Sequence, residues 1–266
     1  MVGYRALEVP DMIHRGLPSS RLTFIVSLDD GVEAASTEQG LRDARPKPVI
    51  LGGLHTTASY VRQRPAQAGV QIAMHPLAAR SVFGLPAAEL PVTEFDGEYV
   101  LGRWVGELHE RLTESEDWPT VFRIVADRLI RRHGRGRPRV RSELPHAWHL
   151  LERSAGRMPI SEVASVVGLS TRRLGTLFGE EFGRSPKQVA GLMRFEHATA
   201  AIARQVGQTG RADLAGIAVR AGYSDQAHLS REFTRYAGIG PRAWISAEFR
   251  NIQDGGHRSA EDWSND

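Results

Sequence analysis

The side chains best suited to chemistry in this sequence are arginines with short polar neighbours, on two stretches. One is Thr171-Arg172-Arg173-Leu174-Gly175-Thr176; the other is Gln226-Ala227-His228-Leu229-Ser230-Arg231. A guanidinium offers two parallel donors that match O6 and N7 of guanine, and a glutamine carboxamide matches N6 and N7 of adenine. Threonine can touch a thymine methyl or a phosphate. The chemistry on offer is recognition, not bond breaking. A third set, Arg131–Arg141, holds six arginines in eleven residues and contains Arg135-Gly136-Arg137-Pro138.

Other chemistries lack their residues. The 266-residue chain has no cysteine, which removes disulfides, thiol nucleophiles and thiolate metal sites. His14, His55, His75, His109 and His133 are scattered, and His146 with His149 makes only a two-ligand pair. No metal and no other cofactor is expected. There is no phosphate loop, dinucleotide fingerprint or nucleophile-elbow glycine pattern. The chain reads as a non-enzyme.

The two stretches sit in a duplicated unit. Val163–Pro186 and Ile217–Pro241 align with Ala164, Gly168 and Ser170 matching Ala218, Gly222 and Ser224 at a separation of 54. Phe178, Gly183 and Pro186 match Phe233, Gly238 and Pro241 at a separation of 55, so one residue is added near the turn. Each copy predicts helix, tight turn, helix. Gly168 and Gly222 suit a turn that needs positive φ. Ser170 and Ser224 are the expected N-caps of the second helices. Leu174, Leu177 and Phe178, and Leu229 with Phe233, form the buried stripes. The opposite faces carry the polar stretches, as recognition helices entering a major groove would. Arg172 and Arg231 are the expected base readers, with Gln226. Arg173 and His228, one position off the face, suit phosphates. Ser170, Thr171, Thr176, Ser224, Ala227 and Ser230 complete the expected DNA-facing set. Lys187–Ala203 predicts a long helix that fixes the separation of the copies.

This tandem arrangement, with "AGYSDQAHLSREFTRYAGIGPRAW" in the second copy, resembles the DNA-binding domain of the AraC/XylS family of bacterial transcription regulators. Gly175 departs from the longer side chain often found there, so copy one would read fewer bases. "HRGLPSSRLTFIVSLDD" and "GVQIAMHPLAARSVFGLPAAEL" resemble the cupin-like N-terminal domain of many such regulators. The resemblance implies double-stranded DNA as a partner, RNA polymerase as a second, and activation of transcription ahead of repression.

The front half supports a two-domain α+β chain. Leu22–Leu28, Val49–Leu51, Ala58–Arg62 and Gly69–Met74 read as strands of an antiparallel barrel. Leu77–Phe83 and Tyr99–Leu112 read as helices, and Pro119 opens another carrying Val121, Phe122, Val125 and Leu129. The expected domains are a cupin-like sensor or dimerisation domain over 1–133, a basic linker over 134–142, an AraC-type domain over 143–250, and an acidic tail over 251–266. Charge follows the same division. Residues 1–138 carry 17 basic and 17 acidic side chains, 139–250 carry 16 and 10, and the last 16 carry one arginine and four acids. A basic module beside a neutral one suits an anionic partner.

Phe24, Val26, Ile50, Ile72 and Met74 could line an effector pocket or simply fill the barrel core. The helix pair could serve a homodimer. Residues 131–141 can be read as a hinge. Arg135 and Arg137 can also be read as the core of an AT-hook, an arm for the minor groove or the phosphates. Two rivals stand beside the ligand-controlled regulator. One is a DNA-binding regulator without a ligand, its front domain serving dimerisation or partner contact; the other is a cupin-fold enzyme with a DNA-binding tail. No apolar run approaches the ~20 residues that cross a bilayer, and Met1–Arg15 lacks the basic-then-apolar signal pattern. A soluble, cytoplasmic protein with no membrane partner is expected.

Overall fold

A computed structural model describes residues 1–5, 12–115, 117–133 and 140–253, with side chains up to residue 248. The chain divides into two compact units. One comprises Met1–Gly16, Arg21–Arg141 and Gly179–Gly183; the other comprises Leu17–Ser20, Ser142–Phe178 and the chain from Arg184 onward.

The first unit holds seven described strands: β1 (Val2–Arg5), β2 (Met12–Gly16), β3 (Leu22–Ser27), β4 (Glu33–Ala35), β5 (Val49–Gly52), β6 (Ser59–Gln63) and β7 (Ala68–Met74). They pair antiparallel in two sheets, ordered β1-β7-β3-β5 and β2-β6-β4. A single antiparallel bridge joins Val32 to Lys47, just outside β4 and β5. Directly opposed residues on neighbouring strands share a face. Phe24 lies opposite Ile72 and Leu51, Val26 opposite Val70 and Val49, and Leu22 opposite Met74. That face packs under helices: the Phe24 ring lies 5.5 Å from Phe83 and 6.4 Å from Trp104. Ile25 lies opposite Ile50, so these two point the other way. They pack with Val32, Ala34, Val61 and Phe95, joining side chains of both sheets.

The helices of this unit are α1 (Glu38–Arg42), α2 (Ala78–Val82), α3 (Gly97–Leu101), α4 (Arg103–Thr113) and α5 (Trp118–Arg132). The helix expected over Tyr99–Leu112 is therefore two. Gly102, at φ +77, breaks it after Leu101, and Trp104, Val105, Leu108 and Leu112 are buried together on α4. The helix expected at Pro119 is α5, capped by Asp117, whose carboxylate accepts the Thr120 N–H at 2.7 Å. The arginine run begins inside α5. Arg132 stacks 4.2 Å from the Trp104 ring, and Arg131 lies 3.9 Å from Asp127 one turn back.

The second unit is helical: α6 (Glu143–Arg153), α7 (Ile160–Val166), α8 (Thr171–Phe182, in this unit up to Phe178), α9 (Pro186–Thr209), α10 (Leu214–Arg220), α11 (Gln226–Ala237) and α12 (Pro241–Gln253). The helix α9 begins with Pro186 in its first turn and a reciprocal capping box. Ser185 Oγ accepts from Gln188 N–H, and Gln188 Oε1 accepts from Ser185 N–H. The apolar faces meet on aromatics. Trp148 of α6 stacks on Phe178 of α8 at 6.5 Å. Phe195 of α9 meets Phe233 and Tyr236 of α11 at 5.1 and 4.8 Å, and Phe233 meets Trp244 of α12 at 5.5 Å. Fully burying a large apolar side chain contributes about 1.5–3 kcal/mol, so this cluster anchors α11 and α12 to α9.

Candidate nucleic-acid interface

The two turns are built alike. Gly168 and Gly222 adopt φ of +72° and +83°. The Leu169 N–H reaches Ala164 O at 2.9 Å and Gly168 N–H reaches Ser165 O at 3.1 Å; Tyr223 N–H reaches Ala218 O at 2.9 Å and Gly222 N–H reaches Val219 O at 3.1 Å. These paired bonds satisfy the last carbonyls of α7 and α10, which lets each chain reverse within a few residues.

The added residue of the second copy lies just past its turn. In copy one Ser170 caps α8, its hydroxyl accepting from Arg173 N–H at 3.2 Å. In copy two the cap is Asp225, which accepts from His228 N–H at 2.7 Å. The expectation of Ser224 as cap is corrected by one position. The longer turn moves Ser224 off the helix start, and the carboxylate takes the orphan amide. The His228 N–H, followed by the Arg231 guanidinium, holds the Asp225 carboxyl below its usual value.

Thr171, Arg172, Arg173 and Thr176 are exposed on α8, opposite buried Leu174, Leu177 and Phe178, and Gly175 is half-buried. Ser170 is exposed at the cap. Arg172 and Thr176 lie one turn apart, and Thr176 Oγ1 bonds Arg172 O at 3.2 Å. On α11, Ala227 and Arg231 are exposed one turn apart, whereas Gln226, His228 and Ser230 are half-buried and Ser224 is exposed before the helix. The His228 ring is engaged locally: Nδ1 is 3.2 Å from Ser224 Oγ, and the ring meets Tyr223 edge-on at 5.2 Å. Arg135 and Arg137 lie outside the described residues.

A shallow cleft of about 430 Å³ adjoins the start of α11. Arg211, Asp213, Gln226, Arg242 and Ile245 are among its lining. Arg211 and Arg242 are exposed cations beside the polar face, and no helical period in the sequence singles them out. In the first unit the proposed effector set separates. Phe24, Val26, Ile72 and Met74 share the helix-covered face, and Ile50 faces the opposite side with Ile25 and Phe95.

Two helix–turn–helix units with matched turns and exposed arginine-bearing second helices define a tandem DNA-binding module. Residues 163–247 match the family model HTH_18, a helix-turn-helix domain. No curated protein sequence matches the chain. Similar solved structures include ToxT from Vibrio cholerae, at 12% identity and TM-score 0.49, over 92% of this chain and 97% of that one. Another is an AraC-type regulator from Chromobacterium violaceum, at 25% identity and TM-score 0.34, over 39% and 89%. A third is the C-terminal domain of AraT, a response regulator from Geobacillus stearothermophilus, at 22% identity and TM-score 0.36, over 41% and 88%. Residues 163–247 form a helix-turn-helix domain. Among the described residues, no helix is long and apolar enough to cross a membrane.

Proposed function

We propose that this protein reads an asymmetric operator by placing α8 and α11 in successive major grooves on one face of DNA. The carrying observation is the pair of matched units joined by the 24-residue α9. At about 1.5 Å per residue this helix is roughly 36 Å long, close to the ~34 Å turn of the duplex. Arg172 and Arg231 read base edges, with Gln226 beside them. Thr171, Thr176, Ala227 and Ser230 line the same faces. Arg173, Arg211 and Arg242 hold phosphates, and His228 orients Ser224 and the start of α11.

Residues 143–250 form the reading domain, 134–142 a linker whose Arg135 and Arg137 can follow the minor groove, and 251–266 an acidic tail. Residues 1–133 form a cupin-like domain that senses a small molecule, dimerises the protein, or both. The resemblance favours activation, through a surface that meets RNA polymerase, in the cytoplasm.

The test is fluorescence anisotropy with a duplex selected by the wild-type protein from a random pool. A good bidentate pair contributes about 1–3 kcal/mol of discrimination, so Arg231→Ala should weaken this duplex roughly 5- to 150-fold while binding to a scrambled duplex persists. Unchanged affinity for the selected duplex would refute the assignment. Thermal-shift screening with metabolites separates a sensing front domain from one that only dimerises, because a bound effector raises the melting temperature.

A further inference from the structure

We infer that Arg194 sharpens the spacing between the two DNA half-sites that α9 sets, by bracing the second recognition helix against the α6–α7 turn that leads into the first helix–turn–helix unit. The inference rests on the DNA-reading proposal above.

Arg194 lies on α9, and its guanidinium reaches in two directions. Nη1 donates to Gly156 O at 2.8 Å, in the turn between α6 and α7. Nη2 lies 4.0 Å from Glu232 Oε2 on α11. Glu232 directly follows Arg231, the expected base reader, and its other oxygen accepts from Arg235 Nη2 at 2.6 Å. Both partners are mostly withdrawn from solvent, with 22% of the Arg194 and 15% of the Glu232 side chain exposed. The stem of Arg194 also helps close the space at the second turn. A Cβ on Gly222 would meet Arg157 Cγ at 2.8 Å and Arg194 Cδ at 3.6 Å. One planar cation thus hydrogen-bonds the approach to α7 and stands within ion-pair distance of α11, while its stem runs beside Gly222.

Its surroundings strengthen the brace. Tyr223 and Tyr236 are buried at 3% and 2% exposure. Burial first, then the charge of Glu232, raises both phenols, so they stay neutral beside the pair. The guanidinium holds Gly156 O by a directed hydrogen bond while its other nitrogen keeps its charge 4.0 Å from Glu232 Oε2; a lysine ammonium on a flexible stem lacks that fixed fork.

The geometry explains why a brace matters. The other contacts that hold α11, including those of Leu229, Phe233 and Tyr236 with Phe195, Ile217 and Trp244, are apolar, and apolar contacts are not directional. A 12-residue helix is about 18 Å long, so a tilt of about 10° moves its end by about 3 Å, close to the ~3.4 Å rise of one base pair. Loss of the brace should therefore blur spacing before it weakens either half-site.

The experiment is selection from a random duplex pool with the full-length protein, Arg194→Met and Glu232→Gln, sequencing the enriched DNA. The wild type should enrich two half-sites at one separation, preferring it at least ~10-fold over separations one base pair different, since linked sites gain only when geometry permits both. Both variants should enrich the same half-site sequences with that preference reduced to under ~3-fold. A folded variant that keeps the wild-type separation preference overturns the inference. If Arg194→Met unfolds by circular dichroism, the near-isosteric Glu232→Gln decides. If the wild type enriches no sequence, the DNA-reading proposal fails instead, and the two failures are distinct.

Discussion

Substituting the turn glycines with alanine should give unequal losses, and the structure sets the difference. Both residues hold positive φ, at +72° for Gly168 and +83° for Gly222. A left-handed backbone costs an L-residue about 1–2 kcal/mol. Reduced entropy of the unfolded chain returns about 0.4–1 kcal/mol. Gly168→Ala meets open space, with nothing within 4 Å of an added Cβ, so its net cost is about 1 kcal/mol. Gly222→Ala also meets Arg157 Cγ at 2.8 Å and Cδ at 3.1 Å. Moving that stem off its favoured rotamer adds about 0.5–1.5 kcal/mol. The helical unit should therefore lose about 1 kcal/mol in the first variant and about 2 kcal/mol in the second. At roughly 4–8 °C per kcal/mol for a domain near 100 residues, the two melting temperatures should differ by several degrees. Circular dichroism at 222 nm follows the helices of the full-length protein. Equal losses, or a neutral Gly222→Ala, would refute the claim that the Arg157 stem closes this turn.

Asp225→Ala should lower the melting temperature and loosen α11, whereas Ser224→Ala should leave the cap intact; hydrogen exchange at the His228 amide reports the difference. The depressed acidity of Asp225 carries a sign: its contribution is complete above the ordinary aspartate range and fades as pH falls through the lowered folded value, so the cap should hold at neutral pH and fail only in acid. Phe195→Ala removes the ring between Phe233 and Tyr236 and should cost about 3–5 kcal/mol, read by urea denaturation. Replacing Arg135 and Arg137 with alanine should reduce the salt slope of DNA binding by about 2 if both hold phosphates; an unchanged slope leaves only a hinge.

Periodicity made the second unit legible. The duplicated glycines, the Leu–Phe stripes and the closing Gly183 and Gly238 recur at nearly constant spacing, and regular helices translate spacing directly into faces. The cap of α11 was harder, because a turn one residue longer moves the helix start without changing its apolar stripe. Strands β3, β5, β6 and β7 are visible as apolar or β-branched runs, whereas β1, β2 and β4 are short segments defined by their partners. Ile50 shows a sharper limit. In a strand the side chain alternates at every residue, so a run as apolar as Val49-Ile50-Leu51 does not say which residue faces which layer; pairing with Ile25 does. The Arg194 brace was invisible for a related reason. Its partners Gly156 and Glu232 are distant in sequence on either side, and only the folded helices bring them to one guanidinium.

The continuous α9 has an evolutionary consequence. Adding one residue to an α-helix lengthens it by about 1.5 Å and turns whatever follows by about 100°. Such an insertion would swing one reading head away from the DNA, not merely shift it along. Seven extra residues nearly restore the rotation but add about 10.5 Å, about three base-pair rises. Three base pairs turn the groove itself by roughly 100° at about 10.5 pairs per turn. The periods of protein helix and duplex do not share a small common step. On the proposed reading, an operator spacing carried by one unbroken helix is therefore hard to change gradually, and new binding sites should arise through substitutions on α8 and α11 while the distance between them stays frozen.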